Sequence, residues 1–276
     1  MAIQDVFDAC TSVEELDRGG QKVVYAAQHP VYGDIVLKRG NYPHPGALER
    51  ITREVDLLAS ISSSYYPKHF GFIVDVSLRE FLIVEERIEG LPLSECVDRF
   101  KTEIEIIALL RTLVVALDLL WQQRVIHRDI KPQNIIIKPN NSPVVIDLGI
   151  ARLLDLSSLT MAGAPVGPCT AAYAAPEQLQ NKKPIIDPRA DFFALGLLAL
   201  QLALGFHPFD PQRVQRGESI PENILKGQYV SLERDGEFSE SFLVLTDRLL
   251  KTEPHQRFRN RVGFSTFLDR YWGGEK

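Results

Sequence analysis

The octapeptide His127-Arg-Asp-Ile-Lys-Pro-Gln-Asn134 sets a carboxylate at Asp129, an amine two places on at Lys131 and a carboxamide five places on at Asn134. The apolar run Ile135–Ile137 follows at once, and a second carboxylate, Asp147, ends the apolar stretch 144–146. Polar groups set among apolar neighbours are costly unless they are paired or used. An Asp and an Asn that converge offer the oxygen ligands that Mg²⁺ takes when it also holds phosphate oxygens. Asp129 is then left to orient an attacking hydroxyl, and Lys131 to balance charge developing on a transferred phosphoryl group. The competing reading makes Asp129 and Asp147 turn or capping residues, a common role for an isolated Asp.

Such a cluster needs elements to position it. Two strand-like runs, Lys22–His29 and 33–40, flank a turn with Pro30 and Gly33 and read as a hairpin. A helical pattern runs from Ala47 to about Ser60, with Leu48, Ile51, Val55 and Leu58 on its apolar face. Strands over 71–76 and 81–85 follow, joined by a short connection. From about Glu103 helical patterns dominate, interrupted by short strands near 134–138 and 144–147. The expected fold is α+β: a small sheet with one helix, then a larger and mainly helical lobe, joined near residues 86–90. Clefts between lobes of this kind are common ligand sites.

Bulk properties narrow the function. The 276 residues are 45% hydrophobic and 24% charged, an ordinary globular composition able to bury a core. A net charge of −5 argues against general binding to nucleic acid or anionic membranes. The first ten residues lack the basic start and apolar centre of a signal peptide. Segment 104–121 carries Glu105, Arg111 and Asp118, and segment 195–206 is about eight residues short of a membrane span, so both are expected as buried helices. Cys10, Cys96 and Cys169 are scattered and odd in number, as expected for reduced thiols of a cytoplasmic protein.

With its flanking segments, the octapeptide resembles the catalytic loop of the eukaryotic-type Ser/Thr protein kinase family, and the resemblance runs from Leu16 to about Arg257. It implies a single bilobal domain, with a small lobe over about 12–86, a hinge over about 85–90 and a large lobe over about 91–272. It implies ATP and Mg²⁺ as cofactors, Asp129 as catalytic base, Lys131 against the transferred phosphate, and Asn134 and Asp147 as metal ligands. Lys38, in Ile-Val-Leu-Lys, takes the place of the lysine that reaches the nucleotide phosphates, and Glu54 is expected as its ion-pair partner in preference to Glu49. The loop that covers the phosphates is glycine-poor. Of the three expected glycines only Gly19 is present, with Asp17 and Lys22 at the outer positions and Val24 after them. In Val84-Glu-Glu-Arg-Ile-Glu-Gly90, Val84 is expected to guard the adenine pocket, with the backbones of Glu85 and Arg87 on the base and no need of their side chains. Asp147-Leu-Gly149 differs from the commoner Asp-Phe-Gly by one apolar exchange. Glu177 is expected to pair with Arg257, Asp191 to brace the catalytic loop, and His127 to pack in the core.

Lys131 two places after Asp129, with Thr170 downstream, resembles members that act on Ser or Thr of proteins, and the ending Ala-Pro-Glu-Gln-Leu resembles bacterial ones. Arg128 precedes the base where many relatives grip a phosphorylated loop, so Thr160 or its neighbours Ser157 and Ser158 are expected sites of autophosphorylation. Two other readings stay open. A pseudokinase, binding nucleotide as a scaffold, is favoured by the glycine-poor loop but opposed by the retained Lys38, Asp129, Asn134 and Asp147. A small-molecule phosphotransferase shares the Asp, Asn and Asp skeleton, but generally lacks both Lys131 at this spacing and the Ala-Pro-Glu segment.

Overall fold

A computed structural model describes residues 2–19, 22–147, 171–215, 218–233 and 236–273, with the side chains of Glu54 and Lys183 outside that description. The chain divides into two compact units, and the division falls between Glu89 and Gly90. Together they form an α+β fold, one unit built on an antiparallel sheet and the other mainly helical.

The first unit contains α1 (Ile3–Ala9), β1 (Thr11–Arg18), β2 (Lys22–His29), β3 (Gly33–Asn41), α2 (Pro45–Ser60), β4 (His69–Asp75) and β5 (Glu80–Glu86). The five strands form one antiparallel sheet in the order β1-β2-β3-β5-β4. Alternation along β5 sends successive side chains to opposite faces. Phe81 and Ile83 join Ile51 and Val55 of α2, whereas Leu82 and Val84 join Ile3 and Val6 of α1, with Ile35 and Leu37 from β3. α2 starts where His44 accepts the Ala47 N–H on its Nδ1 and Pro45 supplies a helix-ready first residue. Two elements have weak sequence signals. β1 is exposed at every position and carries three acids and an arginine, so no apolar alternation marks it, and pairing with β2 alone makes it a strand. α1 is seven residues long, with only Ile3 and Val6 fully covered.

The second unit begins with β6 (Leu91–Pro92), α3 (Glu103–Gln122), β7 (Ile135–Ile137) and β8 (Pro143–Val145), the three strands pairing in that order. Gly90 opens it with φ +157, and a Cβ there would stand 2.5 Å from the Ile137 carbonyl oxygen, so only glycine fits. Thr102 and Glu105 cap α3 reciprocally, and its buried face runs from Ile106 to Leu120. After the single helical turn Pro176–Leu179 come the helices α4 (Arg189–Leu204), α5 (Ile220–Lys226), α6 (Glu240–Leu249) and α7 (Arg261–Trp272). α4 is apolar almost all round because it is buried on nearly every side. At Gly196 an added Cβ would come within 2.4 Å of Leu249 Cβ, which records how closely α4 and α6 approach. None of the described helices is long and apolar enough to cross a membrane.

Candidate active site

In the second unit Asp129 lies within one irregular stretch, residues 125–131, just before the turn Pro132–Asn134. Lys131 Nζ lies 3.0 Å from Asp129 Oδ2, and Asn134 Nδ2 donates to the same oxygen at 2.8 Å and to the Asp129 carbonyl at 2.9 Å. The spacing of two and five residues thus folds the loop back on its own carboxylate. Asp129 Oδ1 is buried and has no hydrogen-bond partner among the described residues. One carboxylate oxygen is therefore fixed by an ammonium and an amide, and the other has acceptor capacity for an incoming hydroxyl.

Because the Asn134 amide nitrogen donates to Asp129, its carbonyl oxygen is the atom available to a cation. The Ile146 N–H donates to the backbone carbonyl of Asn134 at 2.9 Å, leaving the side-chain Oδ1 untouched and tying the next residue, Asp147, to the same loop. Asp147 adopts φ +61, a left-handed conformation that a non-glycine residue holds only when its surroundings enforce it. An amide oxygen and a carboxylate fit Mg²⁺, which completes its shell with phosphate oxygens and water. No group of three or more His, Cys, Asp or Glu able to hold a metal alone occurs among the described residues. The donor set suits a cation shared with a phosphate.

Asp191, at the start of α4, supports the loop from below. Its carboxylate accepts from the backbone N–H groups of His127 (3.0 Å) and Arg128 (2.8 Å) and from Trp121 Nε1 (2.8 Å). His127 is buried, and its Nδ1 accepts the Asp129 N–H at 3.3 Å. Glu177 and Arg257 form a two-pronged pair at 2.8 and 3.0 Å with both side chains essentially inaccessible. Arg257 also donates to the carbonyls of Arg189, Lys251 and Thr252, so its buried charge is fully used. Asp191 and Glu177–Arg257 thus occupy the supporting positions expected of them.

In the first unit Lys38 is buried, and its ammonium lies 2.7 Å from Glu85 Oε2. The sheet register explains the meeting. Lys38 faces Ile83 across β3 and β5, so Glu85, two residues along, is its diagonal neighbour on the same face. His69 faces Glu85 from β4, and Val24 faces Lys38 from β2. Burial lowers the His69 imidazole pKa, with Lys38 lowering it further while Glu85 and Asp56 raise it.

Three expectations change here. The Glu85 side chain takes part, since it pairs with Lys38. Val84 points to the opposite face, into the α1 cluster, and is not beside Lys38. The Arg87 N–H is already donated to the Asp34 carbonyl at 3.1 Å, and Glu85 sits within the ladder between Val36 and His69. The first two follow from one residue of register, which turns every side chain to the other face. Gly19 closes the β1–β2 turn by donating its N–H to the Lys22 carbonyl at 2.9 Å. A Cβ at position 19 would make only ordinary contact, so that position does not require glycine. Glu54 lies on α2, but its side chain is outside the described residues, as are Leu148, Gly149, Ser157, Ser158, Thr160, Cys169 and Thr170.

The pattern of the family described as "Protein kinase domain" matches residues 11–269, nearly the whole chain. The chain belongs to this family. It is 30% identical over 292 residues to the serine/threonine-protein kinase PknF of Mycobacterium tuberculosis, covering 99% of this chain and 58% of that protein. It is 32% identical over 209 residues to the serine/threonine-protein kinase Pkn1 of Myxococcus xanthus, covering 72% of this chain and 29% of that protein. The Lactococcus lactis protein described as "Probable serine/threonine-protein kinase PknB" is 30% identical over 207 residues, covering 72% of this chain and 32% of its own length. The chain therefore spans from under a third to somewhat over half of these relatives.

Proposed function

We propose that this chain transfers the γ-phosphoryl group of ATP to serine or threonine hydroxyls of protein substrates. The observation that carries the proposal is the Asp129 carboxylate, with Oδ2 held by Lys131 and Asn134 and Oδ1 buried without a partner among the described residues. Asp129 accepts the hydroxyl proton and aims the oxygen, while Lys131 offsets charge on the transferred group. Asn134 and Asp147 would hold Mg²⁺, which when bound neutralises phosphate charge. Lys38 would hold the nucleotide phosphates, with Glu85 fixing its direction and Val24 beside it on the same face of the sheet. With the Arg87 N–H spent in the sheet, the base edge falls to the backbone from Ile88 onward.

The kinship with proteins named as serine/threonine kinases supports the choice of acceptor, and the net charge of −5 speaks against nucleic acid as a partner. The cytoplasm suits a chain whose described cysteines, Cys10 and Cys96, are free thiols. The test is transfer of labelled phosphate from Mg-ATP to a generic Ser/Thr protein acceptor, with Asp129→Ala alongside. Transfer by the wild type that the variant loses supports the proposal. Nucleotide binding without transfer by either protein would replace it with a scaffold role, and transfer to small molecules alone would replace the acceptor.

A further inference from the structure

Arg128 immediately precedes the catalytic carboxylate and holds φ +66. A left-handed arginine is strained and persists only where neighbours over-determine it. Its N–H is fixed by Asp191 Oδ1 at 2.8 Å. Its carbonyl is fixed by a different element: Gln178 Nε2 donates to it at 3.0 Å, across fifty residues of chain. Gln178 sits in the single helical turn Pro176–Leu179, directly after Glu177. Its own amide is oriented, because Oε1 accepts the Ala175 N–H at 3.0 Å, leaving Nε2 as the donor toward Arg128. Glu177, pinned by buried Arg257, anchors that turn from the other side.

We propose that Gln178 is a positioning residue for the reaction, acting through the Arg128–Asp129 peptide to aim the Asp129 carboxylate. The inference rests on the proposed phosphoryl transfer, because it assigns Asp129 as the base. Asp191 and Gln178 grip opposite ends of one strained residue, and the peptide they hold leads straight into the reacting side chain. Gln178 also joins the 175–179 segment to the catalytic loop through its two amide bonds. A carboxylate in its place keeps the bond from the Ala175 N–H but sets an anion against the Arg128 carbonyl.

The experiment compares wild type with Gln178→Glu and, should that variant not fold, Gln178→Met, which is close in size and has no donor. Initial rates, thermal midpoint and amide exchange at Asp129 are measured from pH 5 to 8. Expected for Gln178→Glu at pH 8 are a fall in kcat of about tenfold, an unchanged KM for ATP and thermal midpoint, and faster exchange at Asp129. The kcat ratio to wild type should narrow toward pH 5, where the introduced carboxyl takes up a proton and can donate to the Arg128 carbonyl. Wild-type kcat and exchange in the substituted protein would overturn the proposal, as would a kcat loss that only tracks a lowered midpoint. If the wild type itself transfers no phosphate, the phosphoryl-transfer reading fails separately, and exchange at Asp129 still decides whether Gln178 holds this peptide.

Discussion

The catalytic loop and the inner end of β5 each hold a lysine–carboxylate pair, yet the two are built differently. Lys131 reaches Asp129 across two residues and Asn134 across five, so the chain's local path makes the contact. Lys38 reaches Glu85 across 47 positions, and only the pairing of β3 with β5 brings them together. A local cluster keeps its geometry wherever its segment is held. A cross-strand pair depends on a register in which one residue's slip sends Glu85 to the α1 face and Val84 to its place.

The largest expected effect tests the local cluster. Asp129→Asn keeps the size and removes the base, and kcat should fall by about 10²–10⁴ with the thermal midpoint nearly unchanged, as read from initial rates and a melting curve. A change under tenfold would mean that the carboxylate is structural and would dissolve the contrast with Glu85. Next in size is Arg257→Met, which joins two long-range pairs in the comparison. It strands the buried Glu177 charge and should cost about 3–5 kcal/mol of unfolding free energy in urea titration. Loss of activity there should follow loss of fold.

The cross-strand pair has a matched test. Glu85→Gln removes a charge that pairs with the Lys38 ammonium, and a weakened bond to a charged group predicts a rise in the KM for ATP of about tenfold with kcat little changed. Val84→Ala should leave that KM alone and lower only stability, because its side chain lies in the α1 cluster. If instead Val84→Ala moves the KM and Glu85→Gln does not, the face assignment of β5 is overturned.

These contrasts explain what could be read from the sequence. Asp129, Lys131, Asn134 and Asp147 were legible because each is a polar residue at fixed short spacing within an apolar setting. The α+β division was legible because the apolar period changes from alternation to helical spacing near Glu103. The partnership of Lys38 with Glu85 was not, because strands predict faces but not which residue of the partner strand stands opposite. β1 was hidden because an exposed edge strand needs no apolar face. Gln178 carries no signal at all by residue type, since its role comes from a contact across fifty residues.

The smallest effect concerns two half-buried histidines, His69 and His207, one in each unit. His207 Nδ1 accepts the Phe209 N–H at 3.2 Å, so its proton sits on Nε2, which lies 3.0 Å from the Ala172 carbonyl. The neighbouring Tyr173 ring stands edge-on to it, with its hydroxyl donating to Gln201 at 2.6 Å and its pKa pushed up to about 12 by burial. Burial likewise lowers the His207 pKa from 6.5, outweighing the Ala172 carbonyl and Asp210, which raise it. Below pH 6.5 the unfolded chain takes up a proton that folded His207 resists, so stability present above that pH is lost as pH falls through the lowered folded value. His69 is shifted in the same direction, also chiefly by burial. The urea midpoint of the wild type should therefore decline on acidification below pH 6.5, and His207→Gln should flatten part of that decline while keeping an amide donor for the Ala172 carbonyl. His69→Gln should flatten another part. A decline that neither variant alters would place the acid sensitivity in the carboxylates instead, and the imidazoles of both units would then be bystanders.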